Sequence, residues 1–168
     1  WRAQLGGPSP ALDLPTDRPR PPVHTYRGEG HVVKLPPELA GALRLLSRRQ
    51  GVTLAMTLLA AFKALLARYT GQDDILVGMP IANRTRRELE DLIGFFVNSL
   101  ALRSDLSGDP PFTELLARVH ATALEAYEHQ DLPFERLVDE LQPVRDPGRH
   151  TLFQVVFAML NAPSGPVA

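Results

Sequence analysis

The stretch TLAMTLLAAFKALLARYTGQDDILVGMP, residues 53–80, decides the fold because it joins one long helix directly to one buried strand. Thr53 can cap a helix, and Thr70-Gly71 can end it. Between them, apolar residues at helical spacing form one stripe: Leu54, Leu58, Phe62, Leu65, Leu66 and Tyr69. The near-continuous apolar run Ile75–Met79 is typical of a strand buried on both faces.

Regular structure is predicted on both sides of this unit, in the order β-α-α-β-α-β-α-α-β. The upstream elements are a strand at His31–Leu35 and a helix opened by Pro36-Pro37. The downstream elements are a short polar helix (85–92), a strand (95–102), a long helix after Pro110-Pro111, a helix opened by Pro133 and a strand (152–160). The core faces predicted for the last two helices are Phe112, Leu115, Leu116, Val119 and Ala126, and Phe134, Leu137, Val138 and Leu141. Alternating strands and helices predict an α/β architecture with helices packed on a central sheet.

Composition and charge exclude several classes of protein. The 168 residues, 44% of them apolar and 22% charged, fit one globular domain or part of a larger one. Eighteen basic residues against nineteen acidic ones leave a net charge of −1, which gives no field to recruit nucleic acid or an anionic membrane. The absence of cysteine excludes disulfides and thiol catalysis and is compatible with a cytoplasmic location. No apolar run approaches the ~18 residues of a membrane span.

The first 30 residues are predicted to be a connector. Six of the sixteen prolines lie within the first 22 residues, and proline fixes φ and removes a hydrogen-bond donor. We therefore expect an extended, semi-rigid segment, which Leu12 and Leu14 could pin onto a surface, followed by a folded part over residues 31–168. A chain that begins at Trp1 rather than Met is expected to be a segment of a longer protein.

The sequence contains none of the common catalytic or metal-binding motifs. No two of the five histidines have metal-ligand spacing, and the sequence contains no GxSxG, no GxGxxG and no phosphate-binding glycine loop.

Asn98 is the first unusual residue. If its segment is a strand, alternation places the amide on one face with large apolar side chains, where an unpaired amide costs about 1–3 kcal/mol. Two interpretations follow: Asn98 ties strands or a loop together through backbone hydrogen bonds, or it lines a channel and binds a substrate's peptide or amino group. Gly94, just before it, would allow a bulge or a close backbone approach.

His129-Gln130-Asp131 is the second unusual segment, and it falls between two predicted helices. Asp131 is placed to cap the helix that Pro133 opens, which explains the segment without chemistry. The alternative is that His129 acts as a general base, for which it would need an orienting partner and a pocket.

Both segments resemble late signatures of the condensation domains of nonribosomal peptide synthetases. Ile93-Gly-Phe-Phe-Val-Asn98 is similar to the Ile-Gly-x-Phe-Val-Asn signature, and the stretch from His129 to Val138 is similar to the next one, running on through Arg145-Asp146 to Leu152-Phe153-Gln154. Residues 14–22 resemble the connector between the two lobes of such domains. Residues 69–84 also resemble the sequence that the family has at the corresponding place. The resemblance extends from Trp1 to about Asn161.

The resemblance implies a chloramphenicol-acetyltransferase-like fold, with helices packed on a central mixed sheet in each of two lobes. It also implies a tunnel between the lobes, entered by the 4'-phosphopantetheine arms of an upstream and a downstream peptidyl carrier protein domain. There an amine would attack a thioester to form an amide bond. This chain would be an incomplete C-terminal lobe, and its further partners would be the missing N-terminal lobe and an adjacent adenylation domain.

The family's catalytic histidine belongs to a His-His-x-x-x-Asp-Gly motif in the first lobe, and this chain has no adjacent His-His pair. The resemblance therefore assigns no catalytic residue, no directly bound cofactor and no metal here. It places four residues near the tunnel: Gly94, Phe95, Asn98 and Ser99. It treats six as motif positions with structural roles: His129, Gln130, Asp131, Pro133, Phe134 and Arg145.

Three functions remain open. The first is part of an amide-forming enzyme, with an ordinary elongation domain favoured because residues 153–160 depart from the Val-Phe-Thr-Ser run of heterocyclization relatives. The second is a noncatalytic module that docks carrier proteins, and the third is a generic acyltransferase of the same fold. An isolated chain is expected to be inactive, because it lacks the His-His-x-x-x-Asp-Gly motif. It is also expected to be marginally stable, because an exposed apolar sheet edge favours association.

Overall fold

Two antiparallel strands form the centre of the computed structural model, which describes residues 1–7, 11–19, 21, 27–141 and 150–160. Strand β1 is Asp74–Ile81 and β2 is Asn98–Asp105, in a register that pairs Val77 with Leu102. The helices are α1 (Arg2–Leu5), α2 (Pro37–Arg49), α3 (Leu54–Thr70), α4 (Phe112–Glu128) and α5 (Phe134–Leu141). A 3₁₀ turn at Arg87–Leu89 lies between the strands.

The two faces of the sheet are covered by different elements. Because side chains alternate along a strand, Val77 and Leu102 point to one face and Leu76 and Ala101 to the other. The first face packs in one apolar cluster with residues of α3 and α4: Met56, Leu59, Ala60, Leu66, Leu115, Leu116, Val119, Ala123 and Ala126. The second face packs with Leu5, Leu137 and Leu152. The predicted architecture of helices packed on a sheet is confirmed.

Helix α3 begins and ends where the sequence predicts. The Thr53 hydroxyl accepts a hydrogen bond from the Met56 N–H at 3.2 Å, which satisfies one of the free donors of the first turn. At the other end Gly71 adopts φ +69°, a conformation that favours glycine, and its N–H donates to the Ala67 carbonyl at 2.8 Å.

The buried face of α3 differs from the predicted stripe. Leu65 is 51% exposed and Tyr69 is 64% exposed, whereas the fully buried positions are Met56, Thr57, Leu59, Ala60, Lys63 and Leu66. The helix is covered from several sides, by α4, by the sheet and by α2, whose Ser47 hydroxyl bonds the Thr57 hydroxyl at 2.8 Å. The small and polar residues on these contact faces become buried, and part of the leucine stripe is left in solvent.

Two predicted strands are wrong as strands, because a strand needs a partner along its edge. His31–Leu35 forms no ladder with any described residue, and Val32 is 84% exposed. The segment at 152–160 reduces to one parallel bridge between Val156 and Gly78. The short polar helix predicted over 85–92 is present only as the 3₁₀ turn.

The N-terminal connector packs onto the core more closely than predicted. Residues 2–5, which precede the first proline, form α1, and Leu5 and Leu12 are each only 4% exposed. The Leu12 N–H donates to Oε1 of Gln154 at 2.8 Å, and the Asp13 N–H donates to Oε1 of Gln72 at the same distance. The anchoring role predicted for Leu12 is confirmed.

Within the described ranges, none of the helices taken singly is long and apolar enough to cross a membrane. Helices α2 and α3 meet that criterion only when they are counted together, across a bend of 105°.

Gly78 is the point at which the C-terminal segment joins the sheet. Its N–H donates to the Val155 carbonyl and its carbonyl accepts from the Phe157 N–H, both at 2.9 Å. The Phe153 ring covers the same residue so closely that a Cβ atom at Gly78 would lie 2.2 Å from the ring's Cε2. Only glycine fits beneath this ring.

We predict that Gly78→Ala lowers the free energy of unfolding by about 1–3 kcal/mol, because the ring and its segment must move off β1. Urea unfolding followed by circular dichroism measures this. The matched control is Gly41→Ala in α2, where an added Cβ meets no atom within 4 Å and the helix should gain up to about 1 kcal/mol. Equal effects of the two substitutions would contradict the assigned packing role of Gly78.

Candidate functional site

The Asn98 side chain joins the start of β2 to the loop between α4 and α5. Its Nδ2 donates to the main-chain carbonyls of Gln130 and Leu132, both at 2.8 Å. Its Oδ1 accepts from the N–H groups of Ser99 at 2.9 Å and Phe134 at 3.0 Å. Two donor and two acceptor positions are all that a carboxamide offers, so the amide is fully paired inside the chain.

Asn98 is 8% exposed, and its neighbours along the same face of the strand, Leu100 and Leu102, are each 1% exposed. A buried amide in such surroundings is stable only when it is hydrogen-bonded. The tying role that the sequence offered for Asn98 is therefore present. In this arrangement the amide has no hydrogen-bonding position left for a substrate.

The loop that Asn98 holds contains the second predicted segment. Asp131 was expected to cap α5, and this prediction is wrong: Asp131 is exposed, and the Phe134 N–H at the start of the helix is taken by Asn98. The cap comes from a residue far away in sequence, which local spacing cannot reveal. Pro133 precedes the helix as predicted, and its carbonyl accepts from the Leu137 N–H at 3.2 Å. The Phe134 ring packs 5.2 Å from the Phe153 ring.

His129 lies at the end of α4 with its side chain exposed. Its main-chain carbonyl accepts from the Trp1 indole N–H at 3.2 Å, but no hydrogen bond among the described residues involves its imidazole. His129 also lines a cavity of about 180 Å³ beside α4, together with Trp1, Gln4 and Glu125. No other predicted site residue lines that cavity. Among the described residues, His129 therefore has no hydrogen-bonded partner that would orient its imidazole as a general base.

The loop before β2 has a pinned inner side and an exposed outer side. The Arg84 guanidinium lies 4.3 Å above the Phe96 ring and also donates to the Leu89 carbonyl. A Cβ atom at Gly94 would lie 3.0 Å from the same ring, so Gly94 permits this contact. Phe95, by contrast, is 90% exposed and Ile93 is completely exposed. The predicted tunnel residues Gly94, Phe95 and Ser99 thus lie on one continuous stretch that leads into β2.

Asn83 and Lys63, which the sequence analysis did not single out, both carry buried polar atoms. Asn83 is half-buried and adopts φ +52°, and its Oδ1 is buried with no hydrogen-bond partner among the described residues. Lys63 lies fully buried beneath the sheet. The burial of Lys63 could have been predicted from the sequence, because this lysine stands in the middle of an apolar helical segment. Nothing in the local sequence distinguishes Asn83. Arg145 lies outside the described residues, and within those described no group of three or more acidic or histidine side chains could hold a metal ion.

We predict that Asn98→Ala lowers the free energy of unfolding by about 2 kcal/mol, because it leaves two partly buried carbonyls and two partly buried N–H groups without their partner. Chemical denaturation is the measurement. Asp131→Ala is the matched control, since its exposed side chain should contribute less than about 0.5 kcal/mol. If Asp131→Ala were the more destabilising change, the helix would be capped by Asp131 after all.

Comparisons with known proteins identify the family. The family model described as "Condensation domain" matches residues 1–165. One of the linear gramicidin synthase subunits of Brevibacillus parabrevis is 60% identical over 163 residues, which are 97% of this chain and 3% of that protein. Among solved structures, the X-domain from teicoplanin biosynthesis matches with a TM-score of 0.87 and 32% identity, over 93% of this chain and 35% of that one.

A four-domain nonribosomal peptide synthetase bound to AMP and glycine matches with a TM-score of 0.92 and 25% identity, over 98% of this chain and 12% of that one. The chain therefore spans a few per cent of the gramicidin synthase relative and about a third of the solved X-domain chain. The fold, the order of the signatures and the family model agree: the chain belongs to the condensation-domain family of nonribosomal peptide synthetases.

Proposed function

We propose that this chain is the second-lobe part of a domain that forms amide bonds between carrier-bound thioesters during nonribosomal peptide synthesis. The observation that carries the proposal is the family match over residues 1–165. The identity of 60% to a linear gramicidin synthase, a protein named as a peptide synthase, supports the same reaction class. We expect the parent protein to work in the cytoplasm, with peptidyl carrier protein domains and an adenylation domain as its partners.

The reaction joins an acceptor amine to a donor thioester. The amine nitrogen attacks the thioester carbonyl, the C–N bond forms, the C–S bond breaks, and the pantetheine sulfur leaves as a thiol once the amine has lost its proton. Both reactants arrive on 4'-phosphopantetheine arms, so the protein's largest contribution is to hold them close and correctly oriented. Proton handling is assigned to the His-His-x-x-x-Asp-Gly motif of the other lobe, because this chain has no adjacent histidine pair.

The residues of this chain contribute shape. We assign the stretch Gly94–Ser99 to the wall of the passage, with Asn98 fixing that wall through its four bonds, three of them to the α4–α5 loop and the start of α5. Phe95 supports the assignment because a phenylalanine that is 90% exposed is costly in water and suits an apolar surface that the other lobe or an acyl chain covers. The proposal gives His129, Gln130, Asp131, Pro133 and Phe134 structural roles.

A second candidate function is a module that recruits proteins without chemistry. The X-domain that this chain matches has also been solved as a complex with OxyB, so one relative of similar fold binds a protein partner. The two candidates differ in the residues upstream of Trp1 in the parent protein. An intact His-His-x-x-x-Asp-Gly motif supports the enzyme, and its loss supports the recruitment module.

We predict that the 168-residue chain alone forms no amide bond when it is mixed with loaded donor and acceptor carrier proteins, whereas the parent domain does. Mass spectrometry of the acceptor-bound product measures this. Turnover by the chain alone would contradict the assignment of proton handling to the other lobe. An inactive parent domain with an intact histidine motif would contradict the proposed reaction.

We also predict that Phe95→Ala in the parent domain lowers the single-turnover rate of amide formation about tenfold or more, because a reshaped wall misplaces the reactants. The free energy of unfolding should change little, since Phe95 is almost fully exposed within this chain. Tyr69→Ala on α3 is the matched control, an exposed aromatic residue outside the proposed wall, and should leave the rate unchanged. Equal rates for Phe95→Ala and the wild type would remove Phe95 from the wall.

A further inference from the structure

Lys63 occupies the centre of the buried face of α3. The chain has two lysines, Lys34 and Lys63. Lys34 is exposed, as long charged side chains usually are, whereas Lys63 is 0% exposed and is the largest of the fully buried side chains among the described residues. A lysine completely removed from water requires an explanation in terms of what its amine contacts.

The Lys63 amine bridges α3 to both strands. Nζ donates to the main-chain carbonyl of Leu102 at 2.7 Å and to the Ser104 hydroxyl at 2.7 Å, and it lies 3.5 Å from the Ile75 carbonyl. All three acceptors are uncharged oxygens, so none of these bonds supplies the anion that a buried ammonium group needs. A neutral amine has two N–H donors, enough to keep the two short bonds that tie α3 to β2.

No carboxylate is hydrogen-bonded to the Lys63 amine within the described residues. The nearby acid is Asp74 on β1, but both of its oxygens accept from Arg103 on β2, at distances from 2.6 to 3.1 Å. Burying an ammonium group without a directly paired anion is costly. Burial accordingly lowers the pKa of Lys63 to about 7, and the charge of Asp74 opposes that shift only in part.

The other packed elements bring little compensating charge. The exposed Asp105 at the end of β2 accepts from the Ser107 N–H, and Arg118 of α4 donates to Glu114 and to the Asp105 carbonyl. What α4 contributes to the shared core is apolar: Leu115, Leu116 and Val119. Helix α2 contributes the Ser47 hydroxyl, which is bonded to Thr57.

We propose that Lys63 is a proton-sensitive anchor, an uncharged amine that ties α3 to the end of β2 and loses part of its stabilising effect when it takes up a proton. The anchor belongs to this chain's own packing and is independent of the reaction assigned above. It makes the stability of the lobe respond to pH in the neutral to mildly alkaline range.

The direction in which stability changes with pH follows from the protonation of Lys63 in the folded and unfolded states. In the unfolded chain the lysine keeps an ordinary pKa near 10.5, so between pH 7 and that value the unfolded state binds a proton that the folded state does not. Stability therefore rises with pH across this window, and this contribution levels off below pH 7. Between pH 7 and pH 9 the unfolding equilibrium constant should fall roughly 50-fold from this group alone.

The test compares three forms of the 168-residue chain by urea unfolding from pH 6.5 to 9.5: wild type, Lys63→Met and Lys34→Met. Methionine keeps the volume and removes the titrating amine. We expect wild type and Lys34→Met to show the same rise in stability, and Lys63→Met to lack roughly 50-fold of it between pH 7 and pH 9. A Lys63→Met profile parallel to wild type would overturn the proposal.

A second measurement uses the unaltered protein and so does not depend on the variants folding. With isotopically labelled lysine, NMR should show two side-chain signals, one from each lysine. The signal of the buried amine should titrate near pH 7. The absence of any lysine signal that titrates near pH 7 would overturn the proposal.

Discussion

The hydrogen bonds of the buried Asn98 carboxamide are the constraint on which the proposed site depends. They join the first residues of β2 to the turn between α4 and α5 and to the first residue of α5. Without them, two carbonyls and two N–H groups would need other partners at a partly buried place. The position of the exposed stretch before β2 therefore follows from one fully paired amide.

Strand β2 is held by polar groups at both ends inside an otherwise apolar core. Asn98 fixes its beginning, and the Lys63 amine bonds the Leu102 carbonyl and the Ser104 hydroxyl near its end. Such groups contribute less to stability than an apolar core of the same volume, but their directional bonds favour one arrangement over others. Since the sheet formed by the described residues has two strands, directional bonds of this kind help to define its register and the approach of the helices.

The sequence predicts the elements that are determined locally and fails where distant partners decide. Periodicity locates α3, α4 and α5, together with the Thr53 cap of α3 and the prolines before α4 and α5, and the buried run at residues 75–79 locates β1. These signals act over a few residues. The strands at His31–Leu35 and 152–160 fail because pairing depends on a neighbouring edge that the sequence pattern does not supply. The face of α3 is misjudged because the predicted stripe follows leucines and aromatic residues, whereas Thr57, Ala60 and Lys63 are among the residues that the neighbouring elements bury. For Asn98, strand alternation predicts that the amide is buried. The alternation does not predict its hydrogen-bond partners, which lie 32 to 36 residues away in the sequence.

The chain exposes several large apolar side chains, which we propose are covered by the other lobe of the condensation domain. Val32, Val33 and Leu35 before α2, and Ile93 and Phe95 before β2, are all more than half exposed. Hydrogen–deuterium exchange of the 168-residue chain, with and without the separately produced first lobe of its parent domain, tests the two-lobed account most directly. We expect the amides of residues 31–35 and 92–97 to become protected when the first lobe is added, while those of α3 stay as they are. Unchanged exchange in both segments, under conditions in which the two parts bind, would contradict the account.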